Sequence, residues 1–312
     1  MTRYLTIDGG TTNTRISLVE DRKKTDTVKL SIGAGKSKEN KNLYVCEIKN
    51  GIEEILSRNG LHDEDVATII ASGMITSEYG LCNLPHINAP AGLYELHENL
   101  HKASIPEISP IPFVFVRGVK MQGDDFSCTD IMRGEETEIM GIINPEYKDC
   151  VYVLPGSHSK IIRTDDNGCI ISFDTMLTGE MTFVLSQNTI LKDAVDLSCD
   201  SFDEDFLLKG YEYAKIYGLN KALFKVRILK NIFECTALQT YSFFLGAVLQ
   251  GEIECIINSG AKTVVLAGKA QLKDSMAHIL KKGTSFDVCV VSDNEVDNST
   301  SLGAVRIYEN RF

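Results

Sequence analysis

A strand, glycine-rich turn and strand occur twice in this chain, and that recurrence restricts the folds open to it more than any other feature. The first copy runs YLTID, then GGTTN, then TRISLVE, with TDTVKL after a short polar turn. Such alternation with brief connections reads as an antiparallel meander. Near residue 150 the pattern restarts as CVYVLPGSHSKIIRTDDNGCIISFD. Laid over each other, the copies set Gly10, with Thr11, Thr12, Asn13 and Arg15, against Gly156, with Ser157, His158, Ser159 and Lys160. Between the copies helix and strand mix, VATIIASG and IPFVFV being the strongest strand candidates. After the second come helical segments (DEDFLLKGYEYAKIYG and ECTALQTYSFFLGAVLQGEIECIINS), the strand TVVLAG, the helix KAQLKDSMAHILKKG, the strand FDVCVVS and a last helix from about Ser299. Strand and helix in alternation predict α/β layers. No Pro/Gly/Ser-rich linker separates the halves, so the repeat and Pro145 set an expected boundary between residues 1–144 and 145–312.

A tight turn with glycines and hydroxyls offers backbone N–H and O–H groups to an anion, and glycine lets the guest approach the backbone. One such turn is most often an ordinary hairpin. Two at equivalent places in a duplicated meander would face each other across a cleft and hold a polyphosphate. Asp8, ending the first strand, is then the candidate for holding Mg²⁺ through water, since Mg²⁺ favours one or two carboxylates plus phosphate oxygens.

The rest of the composition agrees with a small-molecule partner. With 312 residues, 43% of them hydrophobic, the chain buries a substantial core and suits two medium domains. A formal net charge of −11 without a Lys/Arg stripe argues against nucleic acid and anionic membranes as partners. The start MTRYLTIDGG runs straight into a strand and no apolar stretch reaches bilayer length, so the cytoplasm is the expected location. Nine cysteines without a C-x-x-C pair read as reduced thiols. The sequence leaves the oligomeric state open, a homodimer being one option.

Several stretches resemble a known superfamily. IDGGTTNTR resembles the first phosphate loop of the acetate and sugar kinase, Hsp70 and actin superfamily, LPGSHSK its second, and VVLAGKA its adenosine motif. More narrowly, SGMITSEYG…NAPAG, DIMRGEETEIMG, LPGSHSK and FDTMLTGEMTFVLS stand in the order found in the 2-dehydro-3-deoxygalactonokinase family. Gly9 stands where that family usually has an aromatic residue, and Ile161 where it has Trp.

The resemblance implies a two-lobed, ribonuclease H-like actin/Hsp70/sugar-kinase fold with a duplicated mixed-sheet core. It implies ATP- and Mg²⁺-dependent phosphorylation of 2-dehydro-3-deoxy-D-galactonate at its 6-hydroxyl, with the sugar-acid site in the first lobe and the adenosine site in the second. Glu135 follows Gly134 at a helix start, as the catalytic Asp does in glycerol and xylulose kinases, and is the expected general base; Asp130 and Glu136 are reserves. Its plain alternative is a first-turn Glu complementing the helix dipole. Arg117 and Arg133 are candidates to grip the substrate carboxylate in a bidentate fork, or else form salt bridges. Met74 falls on the substrate side, and Thr178, Gly179 and Gly268 on the adenosine side. The rival readings are a kinase for another small acid, such as a different 2-keto-3-deoxy sugar acid or pantothenate, and a non-catalytic ATP-binding regulator.

Two further patterns compete. HENLH at 97–101 matches the zinc pattern H-E-x-x-H, but its helix is short and no third histidine follows at metzincin spacing. GAGKS at 33–37 invites a Walker reading, yet Leu30 stands where the first glycine belongs. A loop after the third strand is expected there.

Overall fold

The computed structural model describes residues 1–38, 40–144, 146–268 and 270–312. They divide into unit 1, Met1–Glu146 with Asp165–Ser172 and Asn294–Phe312, and unit 2, Tyr147–Thr164 with Phe173–Asp293.

Unit 1 begins with β1 (Arg3–Gly9), β2 (Thr14–Glu20), β3 (Lys23–Leu30), the single helical turn α1 (Ala34–Ser37), α2 (Lys41–Arg58) and β4 (Thr68–Gly73). It continues through β5 (Ile87–Asn88), α3 (Leu93–Glu98), β6 (His101–Ile105), β7 (Ser109–Phe115), β8 (Val119–Met121), β9 (Asp130–Met132) and α4 (Glu135–Ile142). Its main sheet has the order β3-β2-β1-β4-β7-β6, with β1, β4 and β7 parallel and the β1-β2-β3 meander antiparallel. The alternating apolar residues Leu5, Ile7, Ile16 and Leu18 bury against Tyr44, Ile48, Ile52 and Ile55, which share one face of α2. Each such side chain contributes about 1.5–3 kcal/mol of apolar burial. Asn40 starts α2 by accepting the Leu43 N–H at 3.0 Å.

Unit 2 carries β10 (Cys150–Leu154), β11 (Ser159–Thr164), β12 (Ile170–Met176), α5 (Thr178–Asn188), α6 (Glu204–Tyr217), α7 (Leu219–Asn231), α8 (Ala237–Asn258), β13 (Thr263–Leu266), α9 (Ala270–Gly283) and β14 (Asp287–Val290). The sheet order β12-β11-β10-β13-β14 repeats β3-β2-β1-β4-β7 strand for strand, so the doubled meander of the sequence is a doubled sheet. Helix α8 opens with a capping box, in which Gln239 N–H reaches Thr236 Oγ1 at 3.3 Å and Thr236 N–H reaches Gln239 Oε1 at 3.0 Å.

Two features differ from expectation. Helix α10 (Asp293–Glu309) starts before Ser299, and most of it groups with unit 1 rather than with the C-terminal half. Arg306 Nη1 donates to the carbonyls of Met140 at 2.9 Å and Gly141 at 3.0 Å at the end of α4, and Glu309 accepts the Tyr4 hydroxyl at 3.1 Å. Residues 165–172, including the start of β12, also belong to unit 1, Ala91 pairing with Ile170. The first crossing between units falls after Glu146, two residues beyond the expected division at 144/145, and further crossings follow at 164/165, 172/173 and 293/294; Pro145 lies outside the described residues. Strands β5, β8 and β9 form a small separate sheet whose strands are too short to show alternation in sequence. Among the described residues no helix is long and apolar enough to cross a membrane.

Candidate active site

The first turn, between β1 and β2, closes when Gly10 N–H donates to Asn13 O at 2.9 Å. Its carbonyls are tied back by the stretch that invites a Walker reading: Ala34 N–H donates to Gly10 O at 3.0 Å and Gly35 N–H to Thr11 O at 2.9 Å. A Cβ on Gly33 would stand 2.5 Å from Gly10 O, so only glycine admits this approach. GAGKS is thus the support of the first turn.

Unit 2 repeats the arrangement. Gly179 N–H donates to Gly156 O at 3.0 Å and Glu180 N–H to Ser157 O at 3.2 Å, and a Cβ on Gly179 would stand 2.4 Å from Gly156 O. Ser159 Oγ accepts the Gly156 N–H at 3.2 Å, and His158 Nε2 meets Glu180 Oε1 at 3.2 Å. Behind this turn Thr178 Oγ1 donates to Glu252 Oε2 at 2.6 Å. Glu252 is buried, and burial pushes its carboxyl up to about 7 against the pull of the Thr178 and Ser159 hydroxyls. Gly268 packs on Pro155, beside Gly156, a Cβ there falling 2.8 Å from Pro155 O. The structure therefore brings Thr178, Gly179 and Gly268 to the second turn, while Lys269 of the VVLAGKA motif lies outside the described residues. Lys160 is buried in β11, its Nζ 3.5 Å from His158 O.

The acidic residues gather in unit 1. Asp8 and Arg15 are cross-strand partners, and Arg15 Nη1 donates to Asp8 Oδ2 at 3.2 Å. Burial raises the Asp8 carboxyl, Arg15 opposes this, and the charge of Glu135 adds to it. Glu135 opens α4 and its Oε2 accepts the Arg133 N–H at 3.0 Å. Glu138 belongs to the same group, for burial and then the charges of Asp8 and Glu135 push it up to about 8. Motif order does not single it out, although spacing three residues from Glu135 on a helix places both on one face. Glu136 is fully buried; it accepts the Gly134 N–H at 2.8 Å and the Thr137 hydroxyl at 3.1 Å, fastening the start of its own helix. Asp130 sits in β9, where its Oδ1 accepts the Ile131 N–H at 2.7 Å.

The two candidate arginines differ. Arg133 Nη1 donates to Thr76 O at 2.7 Å and Thr76 Oγ1 at 2.6 Å, and Nη2 to Leu84 O at 3.0 Å and to His86 Nδ1 at 3.3 Å. Its fork holds the segment after β4, where Met74 opens a 3-10 turn, and is not presented to a carboxylate. Arg117, just beyond β7, has a buried Nε with no hydrogen-bond partner. The space beside Gly9 is taken by Ile75, whose Cβ lies 2.6 Å from where a Gly9 Cβ would stand. Ile161 packs in the unit 2 core. HENLH forms no metal helix: α3 ends at Glu98, His101 lies in β6, and His97 Nδ1 meets Ile307 O at 3.0 Å. Among the described residues no three His, Cys, Asp or Glu side chains group as a metal cage.

The family model for 2-keto-3-deoxy-galactonokinase matches residues 8–300. A curated relative, the 2-dehydro-3-deoxygalactonokinase of Escherichia coli (strain K12), is 26% identical over 227 residues, covering 72% of this chain and 68% of that protein. A crystal structure from Sinorhizobium meliloti, provisionally given the same kinase name, superposes with a TM-score of 0.78 at 21% identity, covering 97% of this chain and 96% of the other. The activator of the 2-hydroxyisocaproyl-CoA dehydratase from Clostridium difficile, solved with bound ADPNP, shares the fold at a TM-score of 0.55 and 12% identity, with 99% and 95% covered.

Proposed function

The chain belongs to the 2-keto-3-deoxy-galactonokinase family and is an ATP-dependent sugar-acid kinase of the actin/Hsp70/sugar-kinase fold; from that premise we propose that it phosphorylates 2-dehydro-3-deoxy-D-galactonate on its 6-hydroxyl, in the cytoplasm, through the carboxylates gathered in unit 1. The observation that carries the residue assignment is the grouping of Asp8, Glu135 and Glu138 with Arg15 beside a turn whose carbonyls are tied back. Glu135, at the N-terminus of α4, takes the proton of the hydroxyl as it attacks the γ-phosphoryl in line. Glu138, with its carboxyl at about 8, keeps its proton at neutral pH and adds little charge beside that base.

Thr11, Thr12, Asn13 and Arg15 of the first turn, and Ser157, His158 and Lys160 of the second, bind phosphate oxygens. Thr178, Gly179 and Gly268 hold the second turn on the adenosine side. A divalent cation fits here, because burial and the charge of Glu135 penalise the Asp8 carboxylate and the Arg15 guanidinium at 3.2 Å offsets only part of that; Asp8 would hold Mg²⁺ through water. When bound, Mg²⁺ neutralises charge on the transferring phosphoryl group. Arg117, with its unpartnered Nε, takes the substrate carboxylate near Met74.

With Mg²⁺ and ATP, the protein is expected to phosphorylate the sugar acid at least ~10–100-fold more efficiently than neutral hexoses, since the buried Nε of Arg117, left without an acceptor, carries a penalty of ~1–3 kcal/mol. Coupled ATPase measurements over a panel of sugars check this; equal kcat/KM with glucose would remove the sugar-acid assignment. Asp8→Asn is expected to lower kcat and raise the Mg²⁺ concentration needed for half-maximal rate, with excess Mg²⁺ restoring part of the loss. A Mg²⁺ titration matching that of wild type would take Asp8 out of that role.

A further inference from the structure

Helix α8 buries Leu249, Ile253 and Ile256 in the unit 2 core, yet between them it carries Glu252, which is only 2% exposed. A carboxyl taken out of water is costly unless hydrogen bonds compensate it, so its partners matter. Thr178 Oγ1 donates to Glu252 Oε2 at 2.6 Å, and the Ser159 hydroxyl acts on the same carboxyl. Thr178 and Ser159 are themselves buried. Three residues further along the same helix, Cys255 Sγ lies 3.6 Å from Asp174 Oδ2 in β12, so this face of α8 runs beside the segment from Asp174 to Thr178 that leads into α5.

Thr178 is the first residue of α5, and Leu177 at the N-cap supplies no side-chain acceptor to the helix start. A helix start leaves four N–H groups without intrahelical partners. Two of them, those of Gly179 and Glu180, go to Gly156 O at 3.0 Å and Ser157 O at 3.2 Å, so the path of the second turn follows the position of the α5 start. Gly156 is also held from its other side, its N–H donating to Ser159 Oγ at 3.2 Å. The residue that fixes the Gly156 carbonyl and the residue that fixes its N–H thus both answer to one carboxyl. In the first turn a backbone carbonyl serves instead: Thr14, which opens β2 as Ser159 opens β11, donates to Ile32 O at 2.8 Å.

We propose that Glu252 is a positioning residue for ATP, which holds the Gly156–Lys160 turn in its phosphate-binding shape by anchoring Thr178 at the start of α5. This rests on the reading of that turn as a phosphate loop and adds to it a residue that lies about 70 positions away in sequence and touches no substrate.

The test compares wild type, Glu252→Ala, Glu252→Gln, Thr178→Val and the double variant Glu252→Ala/Thr178→Val. The readouts are calorimetric affinity for a non-hydrolysable ATP analogue with Mg²⁺, affinity for 2-dehydro-3-deoxygalactonate, KM for each substrate, and Tm. Glu252→Ala is expected to weaken the analogue ~10–100-fold, with sugar-acid affinity within about twofold of wild type. Glu252→Gln, whose amide oxygen can still accept from Thr178 Oγ1, is expected to recover most of that loss. Thr178→Val removes the hydroxyl at nearly constant volume and is expected to reproduce it; this variant carries the test should Glu252→Ala unfold. Because either substitution breaks the same bond, the double variant is expected to bind the analogue no worse than the weaker single one. Unchanged analogue affinity in a folded Glu252→Ala or Thr178→Val, losses that add in the double variant, or an equal loss for analogue and sugar acid overturns the inference while the kinase reading stands. Wild type that binds the analogue but not the sugar acid overturns the substrate assignment alone, because the analogue affinities still decide the role of Glu252. Wild type that does not bind the analogue overturns both.

Discussion

Glu135→Gln is expected to lower kcat by ~10²–10⁴-fold while leaving the affinities for ATP and sugar acid close to wild type. Glutamine matches glutamate in size, and its oxygen can still accept the Arg133 N–H that now ends on Glu135 Oε2, so the start of α4 keeps its geometry. What it cannot do is take a proton. The defect should therefore lie in the chemical step, and single-turnover phosphoryl transfer would show it without interference from product release. Glu138→Gln is the discriminating control. With burial and the charges of Asp8 and Glu135 holding Glu138 at about 8, a neutral amide there resembles the state present near neutral pH, and kcat should change much less than in Glu135→Gln. Wild type and Glu138→Gln should diverge chiefly above about pH 8, where Glu138 acquires charge. If Glu138→Gln abolishes transfer while Glu135→Gln preserves it, the base is Glu138 and Glu135 only anchors the helix start.

The elements legible in the sequence are those whose burial leaves a local periodic trace. The meanders of β1 to β3 and β10 to β12 alternate because each packs against a core, and β4, β7, β13 and β14 are short apolar runs between turn residues. The two glycine turns are legible because their residue types are set within a few positions. What supports those turns is not local: Ala34 and Gly35 reach back to Gly10 and Thr11, and Gly179 and Glu180 to Gly156 and Ser157. No periodicity marks such contacts, so GAGKS reads as a plain loop until the chain is folded. The same holds for Arg133, whose neighbours in sequence suggest a substrate role while its guanidinium is taken up by Thr76, Leu84 and His86. Glu138 was within reach of the sequence, since its spacing from Glu135 is helical, but only burial beside Asp8 gives that spacing chemical meaning.

Glu136→Gln is expected to stabilise the protein by an amount that grows with pH. Burial, reinforced by the charge of Glu135, pushes the Glu136 carboxyl up to about 8 from an ordinary value of 4.5. Between those values the folded state holds a proton that the unfolded chain releases, so stability falls as pH rises, by about 1.4 kcal/mol per pH unit from this one group. The contribution is fully present below 4.5 and is lost progressively as pH climbs through 8. Glutamine does not ionise, and it offers the donor and acceptor pair of the protonated acid, so it can still accept the Gly134 N–H and pair with the Thr137 hydroxyl that now bind Glu136. The variant should therefore match wild type near pH 4.5 and exceed it by several kcal/mol, on the order of 4–5, near pH 8. Glu138 and Glu252 shift in the same direction, but both are present in the two proteins and cancel in the difference. Denaturant unfolding of each protein at intervals from about pH 5 to about pH 8 measures that difference directly. Parallel stability curves would mean that Glu136 ionises in the folded state as readily as in the unfolded chain, and that its buried hydrogen bonds to Gly134 and Thr137 hold a carboxylate rather than an acid.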